Sequence, residues 1–504
     1  MDFAAGEGGA ATVVRAYVNH SVSCGRWDRA RAVYFAGRMF DKQGAFMPTT
    51  DPLYTVRDGH LCFDGVDLAE LAAGRATPFF VFSERRLRAN VESVTHAFLR
   101  HHPATEVFYA SKACSNLWFL HVVRASGGNV EVNAGGELDK ALAVGFEPRQ
   151  IVFNGVAKTR DEVALAVSAG VRAFMVDSLY ELKRIGEVAA SLDAVATVAP
   201  RIDVQVPTMT HPGLETAHGG KAGIDRDDAA AAFRLAAEHP HLDPAGMHLH
   251  IGSQITSVEP YRQALDAALD IVEKVEAAAG VRLRFLNAGG GFAVTYREAP
   301  VACRASDYFC SVLTADDYAE VIGGRLQRRR PDLALFLEPG RSIAATTAVL
   351  VSRIENEKTK GLRDAEGRRV GDERWLTVDA GFNTLLEHTN YHWYYRTLVA
   401  NRAGEEADAE FRLAGPLCDG GDVYAGDADS AYRWFPSATS VGDVVAFLDA
   451  GAYTLEMMNP YNARPTAAAF AVTTGGAVEL IRRADTAADL AGHDYAPGFE
   501  PPTG

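Results

Sequence analysis

No stretch of this 504-residue chain approaches the roughly eighteen consecutive apolar residues that a bilayer-spanning helix needs, so no membrane partner is expected. The N-terminus, MDFAAGEGGAATVVRAYV, lacks a basic segment followed by an apolar one, and no secretory leader is read there. Excess positive charge is missing too. Lys and Arg number 50 against 65 Asp and Glu, and the net charge of −15 has the wrong sign for a nucleic-acid surface. The acidity is spread along the chain and reads as solubility. The six cysteines include no CxxC pair, and the fifteen histidines no HExxH or zinc-type cluster, so no metal is expected. Five cysteines read as scattered reduced thiols of a cytoplasmic protein; Cys418 belongs to a motif described below.

What is present is globular in balance, 48% hydrophobic and 23% charged, and the length calls for two domains. Residues 1–50 read as an extension with one or two helices over 13–40. Residues 51–78 hold a strand, turn and strand around the hairpin signal Asp58-Gly59, taken as joining a β domain. From residue 79 to about 345 apolar runs alternate with Ala-rich amphipathic stretches. The runs are FFVFS, VFYAS, NVEVN, IVFNG, AFMVD, VAPRID, MHLHIG, FLNAGGG and LFLEPG. Alternating βα units in this number predict a (β/α)8 TIM-like barrel. Lys112, Glu131, Asn154, Asp177, Arg201, His250, Gly290 and Glu338 all fall at or just after the C-terminal ends of these runs. Barrel enzymes place their chemistry on that face. Residues 346–504 turn to short β-rich runs and read as a mostly β C-terminal domain, with EKTKGLRDAEGRR as a charged loop and APGFEPPTG as a frayed tail.

Four features carry chemistry. FYASKACSN sets Lys112 beyond a strand end among small residues, where a buried amine is costly unless paired or used covalently as a Schiff-base former. NAGGGF leaves backbone N–H groups free to approach a phosphate, with His250, Gly252 and Ser253 of HLHIGSQI on the neighbouring strand end. LFLEPGRSI supplies Glu338 and Arg341; a carboxylate beside a pyridine nitrogen keeps that ring protonated and electron-accepting. Cys418, Asp419, Asp422 and Tyr453 sit in the turn-rich GPLCDGGDVY and DAGAYTLEM of the β domain.

Together these motifs resemble the fold-type III pyridoxal-5′-phosphate decarboxylases, the family of the diaminopimelate, ornithine and arginine decarboxylases. YASKA, EVNAGGEL, HLHIGSQI, GGGF, EPGRSI, CDGGDVY and GAYT follow in the family's order from about residue 53 to about 475. THPGLET, GKAGI and MMNPYNARP look most like the diaminopimelate branch. The resemblance implies an alanine racemase-like barrel with pyridoxal phosphate on Lys112, His250 stacked on its ring and Glu338 at its nitrogen. Ser253, Gly290, Gly291, Arg341 and Tyr453 would surround the phosphate, and Glu131 would lie near Lys112. It also implies a homodimer with shared sites, in which Cys418 and Asp419 come from the second subunit and Cys418 donates the proton that replaces CO2. An amino-acid racemase of the same fold is the competing reading, and Glu338 counts against it, because the racemases set an arginine at that nitrogen.

Two departures bear on substrate. In DAGFNTLLEHTNYH, Glu387 stands where the diaminopimelate enzymes carry an arginine, and CDGGD replaces their Cys-Glu-Ser-Gly-Asp. An acidic pair, Glu387 with Asp419, beside Arg341 and Tyr453, would repel a distal carboxylate and favour a distal amine. The expected substrate is therefore of lysine or ornithine type, or a modified amino acid, with meso-diaminopimelate as the alternative. The aromatic TNYHWYYR reads equally as a pocket wall or as interface core.

Overall fold

A computed structural model describes residues 39–40, 46–47, 51–208, 210–216, 220–297, 308–425 and 432–494. The helices expected over 13–40 and the tail expected to fray lie outside the described residues, except that Met39–Phe40 pairs antiparallel with Phe46–Met47. None of the described helices is long and apolar enough to cross a membrane.

Parallel strands form the barrel: Thr105–Ala110, Asn129–Val132, Ile151–Phe153, Ala173–Val176, Ala196–Pro200, Leu242–Pro244, Gly246–His248, Phe285–Asn287 and Ala334–Leu337. The two end members of this sheet, Leu242–Pro244 and Gly246–His248, are consecutive in the chain and separated only by Ala245. Ala245 N–H donates to the Val198 carbonyl, and Arg201 bridges His248, so the sheet closes on itself with eight staves. Amphipathic helices cover the outside, and their ends follow local rules. Arg160–Ala169, for example, starts in a capping box of Thr159 with Glu162 and stops at Gly170 in the left-handed region.

Along each stave alternate residues face inward. Phe108, Val152, Met175, Ala199, Ala245, Phe285 and Phe336 pack as one buried cluster inside the barrel. The Phe285 and Phe336 rings stack with centroids 4.2 Å apart, and Phe108 lies 4.9 Å from Phe336. This plug leaves the C-terminal ends of the staves as the site's floor.

The second sheet runs, in spatial order, from Arg433–Phe435 through Ala409–Ala414, Arg369–Val378, Ala348–Arg363, Phe79–Ser83 and Ala468–Val472 to Val478–Arg482. The strand expected to open the barrel, Phe79–Ser83, is therefore a central strand of the β domain, antiparallel to Ala348–Arg363 and parallel to Ala468–Val472. All five of its residues are buried. A continuous apolar run of this kind reads the same in a barrel stave as in the middle of a sheet. The hairpin of Tyr54–Arg57 and His60–Phe63 packs on this sheet through a shared core with Val349, Val351, Val444 and Ala446. The segment expected to be a charged loop is also strand: Ala348–Arg363 pairs with Arg369–Val378 out to a turn at Asp364 and Gly367. Its charges sit on an exposed two-stranded ribbon. Cys62, Cys114 and Cys418 are free thiols, whereas Cys310 is disulfide-bonded, a pairing the scattered spacing did not suggest.

Phe336→Ala removes the ring shared by both aromatic contacts in the barrel plug. It should cost about 3–5 kcal/mol, read as a lowered urea midpoint with the barrel still cofactor-binding at low denaturant.

Candidate active site

Lys112 lies in the single turn Ser111–Ala113 directly after Thr105–Ala110. Ser111 Oγ donates to Glu137 Oε2 at 2.8 Å, Tyr109 OH to the Cys114 carbonyl at 3.1 Å and Tyr453 N–H to the Ala113 carbonyl at 2.8 Å. The turn is thus tied down on both sides while its lysine is not. Burial alone would depress the ammonium, but Glu131, Tyr453 and Glu338 outweigh burial and hold it above its ordinary value.

Glu131 is 0% exposed, and neither of its carboxylate oxygens has a hydrogen-bond partner. Burial pushes it up to about 8 against the pull of Lys112. Glu338 is the better-served carboxylate. Asn287 Nδ2 donates to its Oε1 at 2.6 Å and Asn154 Nδ2 to its Oε2 at 3.0 Å. His248 Nε2 stands 3.3 Å from Oε2 without the alignment of a hydrogen bond. Burial works to raise Glu338, and His248, Lys112 and His250 pull it below the usual carboxylate range. Burial also drives His248 and His250 down. The two amides donate to Glu338 in addition to these charges and favour its ionised form.

Glycines let the loops interlock here. A Cβ on Gly290 would lie 2.1 Å from the Glu338 carbonyl, and one on Gly291, at φ +98°, 2.2 Å from the Gly252 carbonyl. Gly290 N–H donates to His250 Nδ1 at 3.3 Å, which fixes His250 as the tautomer protonated at Nε2. Of the residues expected around a phosphate, Arg341 joins Ser253 and Tyr453, and Gly291 lies against Gly252, the neighbour of Ser253. Arg341 Nε donates to Ser253 Oγ at 3.3 Å, and its guanidinium lies 4.7 Å from the Tyr453 ring centre. Tyr453 holds φ +56°, a left-handed conformation that costs a non-glycine residue about 1–2 kcal/mol and so marks a constrained position.

Of the acidic pair expected at the substrate end, Glu387 meets a cation within its own chain. Arg341 donates to both Glu387 oxygens, at 2.9 and 3.1 Å, and to Tyr296 OH at 3.1 Å. Arg341 is 3% and Glu387 2% exposed. Glu387 is neutralised at its own address, because a buried carboxylate without a cation would be far more costly than this pair. Asp419 is exposed, accepting from Gly421 N–H at 2.8 Å. Cys418 is exposed as well, and its N–H donates to Asn462 Oδ1 at 2.8 Å. No hydrogen bond or ion pair among the described residues joins either to the Lys112 group. Trp393 and Tyr395 of TNYHWYYR are buried within the one chain, with Trp393 4.3 Å from the Arg341 guanidinium and Tyr395 OH 3.4 Å from Glu387. They wall the site.

Sequence reasoning gave no role to Asn287, His248 or Tyr296. For the first two a signal existed. His248 is two residues before His250 and shares its strand face, and Asn287 is a polar residue ending an apolar run.

The position of Glu131 yields a pH prediction. Its folded value lies above that of an unfolded glutamate, so ionisation in the unfolded chain draws stability away as pH rises from about 4.5 to about 8. In cofactor-free enzyme, Glu131→Gln should therefore stabilise increasingly over that window and level off above it, read from urea melts at stepped pH. A pH-independent difference would contradict the burial of a neutral acid.

Residues 88–345 match the family described as pyridoxal-dependent decarboxylase, pyridoxal binding domain. Enzymes named diaminopimelate decarboxylase align nearly end to end. The one from Archaeoglobus fulgidus is 34% identical over 87% of this chain and 97% of its own length. The one from Pseudomonas aeruginosa is 36% identical over 88% and 99%. The crystal structure of the Methanocaldococcus jannaschii diaminopimelate decarboxylase in complex with L-lysine superposes with a TM-score of 0.76 at 30% identity, covering 88% of this chain and 98% of that one. The mouth fits the cofactor these matches imply: an amine without a hydrogen bond, an ionised buried carboxylate, a second buried carboxylate without partners and a glycine-lined rim. The chain belongs to the pyridoxal-dependent decarboxylases and is an amino-acid decarboxylase that uses pyridoxal phosphate.

Proposed function

We propose that the chain decarboxylates a diamino dicarboxylic acid of the meso-diaminopimelate kind, with Lys112 holding the cofactor and the Arg341–Glu387 pair reading the substrate's far end. The observation that carries this reading is that buried pair. It offers a cation and an anion side by side, and the far end of meso-diaminopimelate carries a carboxylate and an ammonium. It also removes the ground for excluding a distal carboxylate, since Glu387 is not a free negative charge. The end-to-end likeness to enzymes named diaminopimelate decarboxylase supports the same substrate.

Pyridoxal phosphate, when bound, supplies an electron-withdrawing ring that accepts the electron pair released as CO2 leaves. The chain's own residues prepare the place for it. Glu338, ionised and held by Asn154 and Asn287, would keep the ring nitrogen protonated. His250, neutral and oriented by Gly290, would lie against the ring, and Ser253, Gly290, Gly291, Arg341 and Tyr453 would face its phosphate. Glu131 would lie beside Lys112. Cys418 and Asp419, exposed and unconnected to the Lys112 group in one chain, would reach the site of a second copy, with Cys418 returning a proton to the carbon that lost CO2.

A second reading has its own support. Four N–H groups of Arg341 are already engaged by Ser253, Tyr296 and Glu387, so a substrate carboxylate must displace Glu387 to be gripped by two bonds. A lysine- or ornithine-type substrate needs no such exchange. A product assay over meso-diaminopimelate, lysine and ornithine in both stereoisomers separates the two. Turnover of meso-diaminopimelate at least about tenfold above the others in kcat/KM, a difference of about 1.4 kcal/mol, is expected. Turnover confined to lysine or ornithine would overturn it, and racemisation without CO2 would overturn decarboxylation of these substrates.

Lys112→Ala should abolish the visible cofactor band. Cys418→Ala should keep the band and lose rate. Mixed dimers of these two variants should regain part of the activity, because one of their two sites is intact; confirmed heterodimers that stay inactive would sink the shared site.

A further inference from the structure

The turn that carries Lys112 is held from the β domain by a carboxylate that none of the motifs above explains. Ser115, three residues beyond Lys112 and 1% exposed, donates its N–H to Glu456 Oε1 and its hydroxyl to Glu456 Oε2, both at 2.7 Å. Lys140 Nζ donates to Ser115 Oγ at 2.6 Å and stands 3.9 Å from Glu456 Oε2. This hydroxyl therefore has its donor and acceptor directions both assigned. Ser115 also immediately precedes Asn116, the N-cap of helix Leu117–Ala125, so the Glu456 charge sits where helix N–H groups favour an anion.

Glu456 lies three residues beyond Tyr453. Tyr453 donates its N–H to the Ala113 carbonyl, and its ring stacks on Arg341. Residues 453–456 therefore grip the lysine turn on both sides of Cys114 and touch the substrate-end arginine as well. A two-point carboxylate grip fixes both position and rotation of the turn, whereas one backbone bond leaves it free to pivot.

We infer that Glu456 is a positioning residue for Lys112, setting through Ser115 where the amine reaches. This rests on the reading of Lys112 as the cofactor lysine. A misplacement of about 1 Å far from the reacting atoms is enough to cost about a hundredfold in rate.

The test uses holoenzyme carrying Glu456→Gln, which keeps the shape and one acceptor oxygen, and Glu456→Ala, which removes the grip. Three quantities are read: the pH midpoint of the cofactor absorption band, kcat with KM, and the thermal midpoint. Glu456→Gln should move the band's midpoint by about half a pH unit or more and lower kcat about tenfold with KM within about twofold, and Glu456→Ala should do both more strongly. Lys140→Met, which leaves the grip in place, should move the band less than either. A Glu456→Gln enzyme with the wild-type band and kcat overturns the inference, whatever its thermal midpoint, because domain packing alone would lower only the latter. Should Glu456→Ala fail to fold, Glu456→Gln decides alone. If Lys112→Ala keeps the band, the cofactor-lysine reading fails and this inference with it. If Lys112→Ala loses the band while the Glu456 variants match wild type, only the positioning role fails.

Discussion

An ionised carboxylate buried at the floor of a barrel mouth sets the terms for the rest of this molecule. Away from water, Glu338 needs donors, and they arrive from different staves: Asn287 from one neighbour and Asn154 from across the barrel. Each donor is usable only if its stave ends at the right height. The charge needs cations, and Lys112 and the buried Arg201 both lie near enough to act on it. The barrel's register, the interlocking glycine loops and the aromatic plug beneath are the means by which side chains from separate strands meet one carboxylate. The electrostatics of the site is thus a statement about strand ends before it is one about chemistry.

The Arg341–Glu387 pair obeys a different rule. Arg341 and Glu387 come from the barrel and the β domain, and their contact is a pairing across the two parts of the fold, enclosed by Trp393, Tyr296 and Tyr453. A charge reversal at position 387 looks in sequence like a change of sign in the pocket. In three dimensions Glu387 is not a free negative charge but half of a matched pair with Arg341, so that two positive charges are replaced by a pair of net charge zero. Access differs as well, since the arginine's fork is occupied before any ligand arrives.

The sequence carried the barrel well because the evidence is periodic and local: apolar runs, amphipathic helices between them and polar residues at one end of each run. Lys112, Glu131, His250, Gly290 and Glu338 fall on one face because strand polarity is inherited from chain direction. Three kinds of feature were out of reach. Phe79–Ser83 is apolar on both faces, and such a strand gives no sign of which sheet it joins. Charge partners distant in sequence, Glu387 with Arg341 or Glu456 with Ser115, have no local signature at all. The ribbon of Ala348–Arg363 with Arg369–Val378 bears charges on its exposed faces, and in a one-dimensional reading a solvated strand pair and a loop have the same composition.

The strand Phe79–Ser83 has a consequence for how such a protein can be inherited. It is laid down before the barrel, yet it occupies the middle of a sheet whose other strands are made after it. The barrel is therefore an insertion between two halves of the domain beneath it, entered and left through adjacent strands. A gene fusion that exchanged everything after residue 345 would set Phe79–Ser83 between two foreign strands, and one that began at the barrel would leave that strand out of the sheet. An exchange at residue 345 therefore cuts between two hydrogen-bonded neighbours of one sheet, and every partner of Phe79–Ser83 has to be compatible with a strand encoded on the far side of the barrel.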